Sequence, residues 1–103
     1  MKQFSIVLFG LVTMLSSQVL WAGDAAAGKK SAALCASCHG TNGVATMPAY
    51  PNLAGQNEPY LVSALRSYRD KQRSGGMSAI MQMQAAKLSD EDIDNIAAYF
   101  AGL

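Results

Sequence analysis

The chain has 103 residues, 50% of them hydrophobic and 15% charged, with a formal net charge of +1. That length holds one small core and no second domain, and the near-neutral balance lacks the basic stripe of a nucleic-acid binder. A domain this short buries little surface and commonly depends on a disulfide framework, a metal or a cofactor, so its two cysteines carry unusual weight.

The first element is a leader. Lys2 is followed by an apolar run at 4–15 and then by Ser16, Ser17 and Gln18 on the way to Ala22. A charged start, a short apolar run and a polar stretch are the three regions of a secretory signal peptide, and the run is short for a membrane span. Cleavage after Ala22 divides the chain into a signal peptide at 1–22 and one domain at 23–103. Leu20 at the minus-three position is bulkier than the small residue preferred there, and an uncleaved anchor is the competing reading. Lys2 is the leader's one charge, so its removal takes the formal net charge to zero.

No repeat or strand alternation follows. A first helix is expected from Asp24 to Leu34, rich in alanine and with little periodicity. Gly28 in its interior costs roughly 1 kcal/mol against alanine, which points to close approach by another element, the last helix at Tyr99. Next comes Cys35-Ala36-Ser37-Cys38-His39, the c-type haem attachment pattern. Two intervening residues let both thiols reach the vinyl groups on one side of a porphyrin, and the residue after the second thiol places its imidazole beneath the iron. Other readings of the motif are weaker. Structural zinc wants four ligands, whereas the chain has two cysteines and one histidine. A thioredoxin-like pair wants a βαβ setting that is missing here, and a plain Cys35–Cys38 disulfide leaves His39 unexplained.

A second helix is indicated by Leu61, Ala64, Leu65 and Tyr68 on one stripe, with Asn57 as cap and Pro59 harmless in the first turn, running to about Arg73. Met77, Met81 and Met83 then lie in a stretch read as flexible and able to fold over a haem face. His39 is the one histidine, so a second axial ligand must come from methionine, lysine, another weak ligand or a small molecule; spacing alone does not choose among the three methionines. The last helix has Ile93, Ile96, Ala97 and Phe100 at helical spacing, a capping box from Ser89 and Asp92, three acids in its first turn and Gly102 as a stop. Leu53, Tyr60, Tyr68, Leu61, Leu65, Ile93, Ile96 and Phe100 read as the wall around a porphyrin. Arg66, Arg69, Lys71 and Arg73, with Lys29 and Lys30, read first as a solvated face and second as a docking face or as partners of haem propionates.

At this point residues 23–103 resemble the class I c-type cytochromes, specifically the small bacterial periplasmic kind that also forms each half of certain dihaem cytochromes. The resemblance rests on Gly23-Asp24 and Gly28, on Cys35 to Gly40 with Gly43, on Pro51-Asn52-Leu53-Ala54-Gly55-Gln56, on Tyr60-Leu61, and on Leu88-Ser89-Asp90 leading into Ala97-Ala98-Tyr99-Phe100. It implies an all-α, small cytochrome c fold, three main helices plus loops wrapped around one haem c attached through Cys35 and Cys38. It implies His39 as one iron ligand and Met81, seven residues before Leu88, as the other. It gives the Pro51 carbonyl the role of accepting a hydrogen bond from His39. Many relatives have a proline shortly before the ligand methionine; this chain has Ser78-Ala79-Ile80, so a softer loop is expected there.

The implied function is a periplasmic electron carrier, a monomer or weak dimer with no stable membrane insertion. It would take single electrons from a quinol-oxidising complex and pass them to a terminal oxidase or reductase, docking through apolar residues such as Ala36, Met47 and Pro48. The competing classes are a haem peroxidase or gas-binding sensor with an open distal site, and an electron-entry subunit of a larger oxidoreductase. A peroxidase wants a distal acid–base group, and the sole histidine is already in use.

Overall fold

The computed structural model describes Gln3, Ser5, Gly10 and residues 23–103. The expected leader at 1–22 therefore lies outside the described residues, those three positions excepted. Five helices follow in order, α1 (Ala25–Ser31), α2 (Ala33–His39), α3 (Glu58–Arg69), α4 (Ser78–Ala85) and α5 (Asp90–Ala101), and no strand occurs among the described residues. The all-α expectation holds, with more helix than the sequence suggested.

Three of the five helix starts have a side-chain cap. Asp24 accepts from the backbone N–H groups of Ala26 and Ala27 at 2.9 and 3.2 Å, capping α1. Asn57 accepts from Tyr60 at 3.2 Å at the head of α3. Ser89 and Asp92 exchange reciprocal bonds of 3.0 Å at the head of α5, satisfying two otherwise orphaned donors. The single first helix expected at Asp24–Leu34 is two. The chain turns at Ala32, whose N–H is shared between the Gly28 and Lys30 carbonyls, and α2 then carries the haem motif through to His39. Helix α3 ends at Arg69, four residues earlier than expected, because Lys71 takes the left-handed conformation (φ 57°) and the N–H groups of Gln72 and Arg73 turn back to the Ser67 carbonyl.

Helices α1 and α5 cross at Gly28. A Cβ built there would sit 1.9 Å from the Asn95 carbonyl oxygen and 3.0 Å from Tyr99 Cβ, so only glycine permits this approach. Asn95 is buried, and its side-chain oxygen accepts from the Asp24 N–H at 2.8 Å, tying the start of α1 to the middle of α5. Helix α3 packs on α5, and α4 on α3. The buried cluster is small: Ala32, Leu61, Ile96, Ala97 and Phe100, with Ile93 beside it. Among the described residues, the large side chains buried completely are Phe100, Ile93 and Ile96. At roughly 1.5–3 kcal/mol for each large side chain, such a core is modest support for an ordered chain. Where a larger core would sit there is a cavity.

Candidate haem site

The cavity holds about 410 Å³, in the usual range for small-molecule and cofactor sites. Its floor is α5, through Ile96, Ala97 and Phe100; one wall is α3, through Leu61, Ala64 and Leu65. Of the porphyrin wall expected from sequence, Leu53, Tyr60, Leu61, Leu65, Tyr68, Ile96 and Phe100 line it. Ile93 does not; it is buried about one turn nearer the start of α5, on the same stripe.

Helix α2 brings the motif to the rim. Cys35 and Cys38 are one turn apart, so both thiols share a helix face and both line the cavity, as free thiols, together with His39. Burial pushes the Cys35 thiol up, with the neighbouring Cys38 as a smaller contribution in the same direction and a backbone hydrogen bond opposing them. Gly40 caps α2 with φ 86°, and a Cβ there would lie 2.0 Å from the Val44 oxygen, so the chain turns tightly just after His39.

His39 is buried, with its Nδ1 2.8 Å from the Pro51 carbonyl oxygen. A carbonyl only accepts, so Nδ1 carries the proton and donates, which leaves Nε2 as the ring's free lone pair. The Tyr50 ring meets the imidazole edge to face at 6.3 Å between centroids. The loop supplying Pro51 is itself fixed: Asn52 accepts from the Ala45 N–H at 2.8 Å, and Leu53 and Ala54 both donate to the Gly43 carbonyl.

The methionines separate. Met77 and Met81 line the cavity, whereas Met83 is 73% exposed and is absent from its lining. The stretch read as a flexible loop is helix α4, with Met77 at its N-cap position and no side-chain cap. Gln82 Nε2 donates to the Arg73 carbonyl at 2.8 Å, fastening α4 to the end of α3. The basic residues separate too. Arg66 and Arg69 are engaged by Asp90, Asp94 and Asp70, while Arg73 lines the cavity.

An apolar chamber with two free thiols on one helical turn, an oriented imidazole beside them and a thioether also in its lining fits a covalently attached haem. The Cytochrome c family profile matches residues 25–103. The chain belongs to the cytochrome c family. It is 54% identical over 80 residues to cytochrome c-554(548) of Halomonas halodenitrificans, covering 78% of this chain and 96% of that protein. It is 44% identical over 82 residues to cytochrome c4 of Pseudomonas aeruginosa, covering 78% of this chain but 38% of that one. The crystal structure of reduced recombinant cytochrome c4 from Pseudomonas stutzeri matches with a TM-score of 0.68 and 35% identity, over 77% of this cytochrome and 47% of that chain. This cytochrome therefore spans nearly the whole of the first relative and less than half of these two c4 proteins. As a cytochrome c it carries one covalent haem c with its iron, at the Cys35–Cys38 pair, and its chemistry is electron transfer.

Proposed function

We propose that this cytochrome is a periplasmic single-electron carrier whose haem iron is ligated by His39 and Met81, with 1–22 as a secretory leader and 23–103 as its one domain. Two observations carry the ligand assignment: Met77 and Met81 line the cavity with His39 while Met83 does not, and of these two only Met81 has the resemblance's seven-residue spacing to Leu88. The bound haem supplies a one-electron iron couple, and a thioether ligand favours its reduced state more than a second imidazole would.

The polypeptide's part is to hold this site still. The Pro51 carbonyl fixes the His39 ring and its tautomer and raises the basicity of Nε2. Helix α4, pinned through Gln82, keeps the Met81 thioether near one position whichever oxidation state is present. Leu61, Leu65, Ile96 and Phe100 exclude water, so little solvent must reorganise when charge changes. No lining residue is an acid, and the sole histidine is held by Pro51, which argues against a distal acid–base pair for peroxidase chemistry.

Exchange with partners needs an accessible edge. Met47 is 57% exposed and Pro48 is exposed beside it, an apolar contact suited to a brief redox encounter burying less than about 1,200 Å². Such partners are redox proteins: a quinol-oxidising donor and a terminal oxidase or reductase as acceptor, met by a monomer or weak dimer. No helix among the described residues is long and apolar enough to cross a membrane.

Optical spectra of the oxidised and reduced holoprotein, with and without CO, test the ligation. A weak far-red band in the ferric form, a reduced spectrum unmoved by CO, and loss of the band in Met81→Ala but not Met83→Ala are expected. Ready CO binding by the native protein would overturn the carrier reading in favour of an open distal site.

A further inference from the structure

The loop at 41–55 joins the haem motif to α3 and presents two consecutive residues to the imidazole: the Tyr50 ring, edge to face at 6.3 Å, and the Pro51 carbonyl oxygen, 2.8 Å from Nδ1. Most of the loop's hydrogen bonds close on itself. Val44 donates to Asn42 Oδ1 and Tyr50 to the Met47 carbonyl, both at 3.1 Å, while Ala45 donates to Asn52, and Leu53 and Ala54 donate to the Gly43 carbonyl at 2.8 and 3.0 Å. A loop knitted in this way moves as a body, and the Pro51 carbonyl moves with it.

What fixes that body comes from two consecutive residues of α5. The Tyr99 hydroxyl donates to the Thr41 carbonyl at 2.9 Å, and the Phe100 carbonyl accepts from the Gly55 N–H at 2.9 Å, so α5 holds one end of the loop with each. Among the described residues, and apart from bonds to its chain neighbours Gly40 and Gln56, these two and the His39 bond are the loop's only hydrogen bonds to other parts of the chain. The Phe100 bond is main chain to main chain and follows from the helix. The Tyr99 bond depends on one side-chain oxygen, aimed by contacts that do not involve it: the ring packs on Phe100 with centroids 5.1 Å apart, and Tyr99 Cβ meets α1 at Gly28.

We propose that Tyr99 is a positioning residue for the iron's histidine ligand: its hydroxyl anchors the 41–55 loop, the loop sets the Pro51 carbonyl against His39 Nδ1, and that bond sets how strongly Nε2 donates. The inference rests on His39 as an iron ligand and is independent of which methionine ligates. Its sign follows from the chemistry of the imidazole. A firm Nδ1–H···O=C bond raises the basicity of Nε2, which favours the oxidised iron. With the Tyr99 hydroxyl removed, Thr41 is left to solvent, the Pro51 carbonyl wanders from Nδ1, donation weakens and the reduction potential rises. The Gly55–Phe100 bond still holds the other end, so the effect is smaller than that of losing the Pro51 bond itself.

The test compares holoproteins of native sequence, Tyr99→Phe and Ala26→Gly. Tyr99→Phe removes one oxygen and keeps the ring on Phe100; Ala26→Gly, at an exposed position of α1, weakens the fold by helix propensity and leaves both α5 anchors in place. In spectroelectrochemical titration Tyr99→Phe should shift about threefold toward the reduced form, about 28 mV for one electron, and Ala26→Gly should stay within about 1.5-fold of native. In hydrogen-exchange NMR of the reduced holoproteins, the His39 Nδ1 proton and the Leu53 and Ala54 amides should exchange about tenfold faster in Tyr99→Phe, with the Leu65 amide of α3 changed less than about twofold, because the opening is local. A Tyr99→Phe potential within about 1.5-fold of native, or an equal rise in Ala26→Gly, would overturn the proposal. Equal acceleration at Leu65 and in the loop would overturn it too, since the hydroxyl would then serve stability alone. Those failures leave His39 ligation standing, whereas a His39 ring that titrates between about pH 5 and 8 in the native holoprotein would refute the ligation and the proposal together.

Discussion

Replacing Gly28 with alanine sets two effects of known sign against each other. On an exposed helix the change would stabilise by about 0.8–1.0 kcal/mol, because glycine loses more backbone freedom on folding. In this cytochrome the new Cβ would lie 1.9 Å from the Asn95 carbonyl oxygen and 2.4 Å from its carbon, against an ordinary C···O contact of about 3.3–3.6 Å. The obstacle is main chain in mid-α5 and has no rotamer into which to retreat. The two helices must separate instead, and overpacking of this kind costs about 1–3 kcal/mol. Separation also strains the 2.8 Å bond from the Asp24 N–H to buried Asn95, and leaving that side chain unsatisfied costs about 1–3 kcal/mol more. Set against the propensity gain, the net loss is about 1–5 kcal/mol, a large share of a small domain's stability.

The assay is guanidinium unfolding of the holoprotein, followed by far-UV circular dichroism and haem absorbance together, with Ala26→Gly as the control. Ala26 is exposed on α1, so its change should cost about 1 kcal/mol by propensity alone. Gly28→Ala should lower the midpoint further than Ala26→Gly although propensity favours it. A Gly28→Ala midpoint equal to or above the native one would refute the close-approach argument.

Three further outcomes follow from the same structure. Lys71 occupies the left-handed region at φ 57°, where a side chain costs about 1–2 kcal/mol, so Lys71→Gly should raise the unfolding free energy by up to about 1 kcal/mol after the entropy of glycine is deducted, read as a higher guanidinium midpoint. The Cys35→Ser, Cys38→Ser double variant, made as apoprotein, should lose most native helicity and melt without a sharp transition, because three large buried side chains are too small a core alone; retention of a cooperative melt in far-UV circular dichroism would contradict this. The Arg69 hydrogen bond holds the Asp90 carboxyl below the usual carboxylate range, with the charges of Arg69 and Arg66 acting in the same direction. A depressed carboxyl stabilises the fold above its unfolded pKa and loses that contribution as pH falls through the folded one, so Asp90→Asn should flatten the decline in thermal midpoint below about pH 4.

How far this site could be read in advance depended on whether its determinants were local. Asn57 and the Ser89–Asp92 box act within one turn and cap where the sequence placed them, and Asp24, expected to open the first helix, caps it. Gly28 announced an approach, and Asn95 and Tyr99 supply it. Helix α4 was not legible, because Ser78–Ala85 alternates methionine and glutamine and has only Ala85 buried against protein. A helix that faces a cofactor shows no apolar stripe facing protein, since the cofactor serves as part of the core. Arg73 was hidden for a related reason. In sequence it belongs with Arg66 and Arg69 as one basic face of a helix running to residue 73. What separates them is the left-handed turn at Lys71, an unfavourable conformation for lysine that no local signal demands. That turn ends α3 early and carries Arg73 off the helix toward Tyr60 and Tyr68, while Arg66 and Arg69 remain among the acids of α5 and Asp70. The chain therefore uses one strained residue to divide a run of like charges, with two arginines tying helices together and the third at the mouth of the haem cavity.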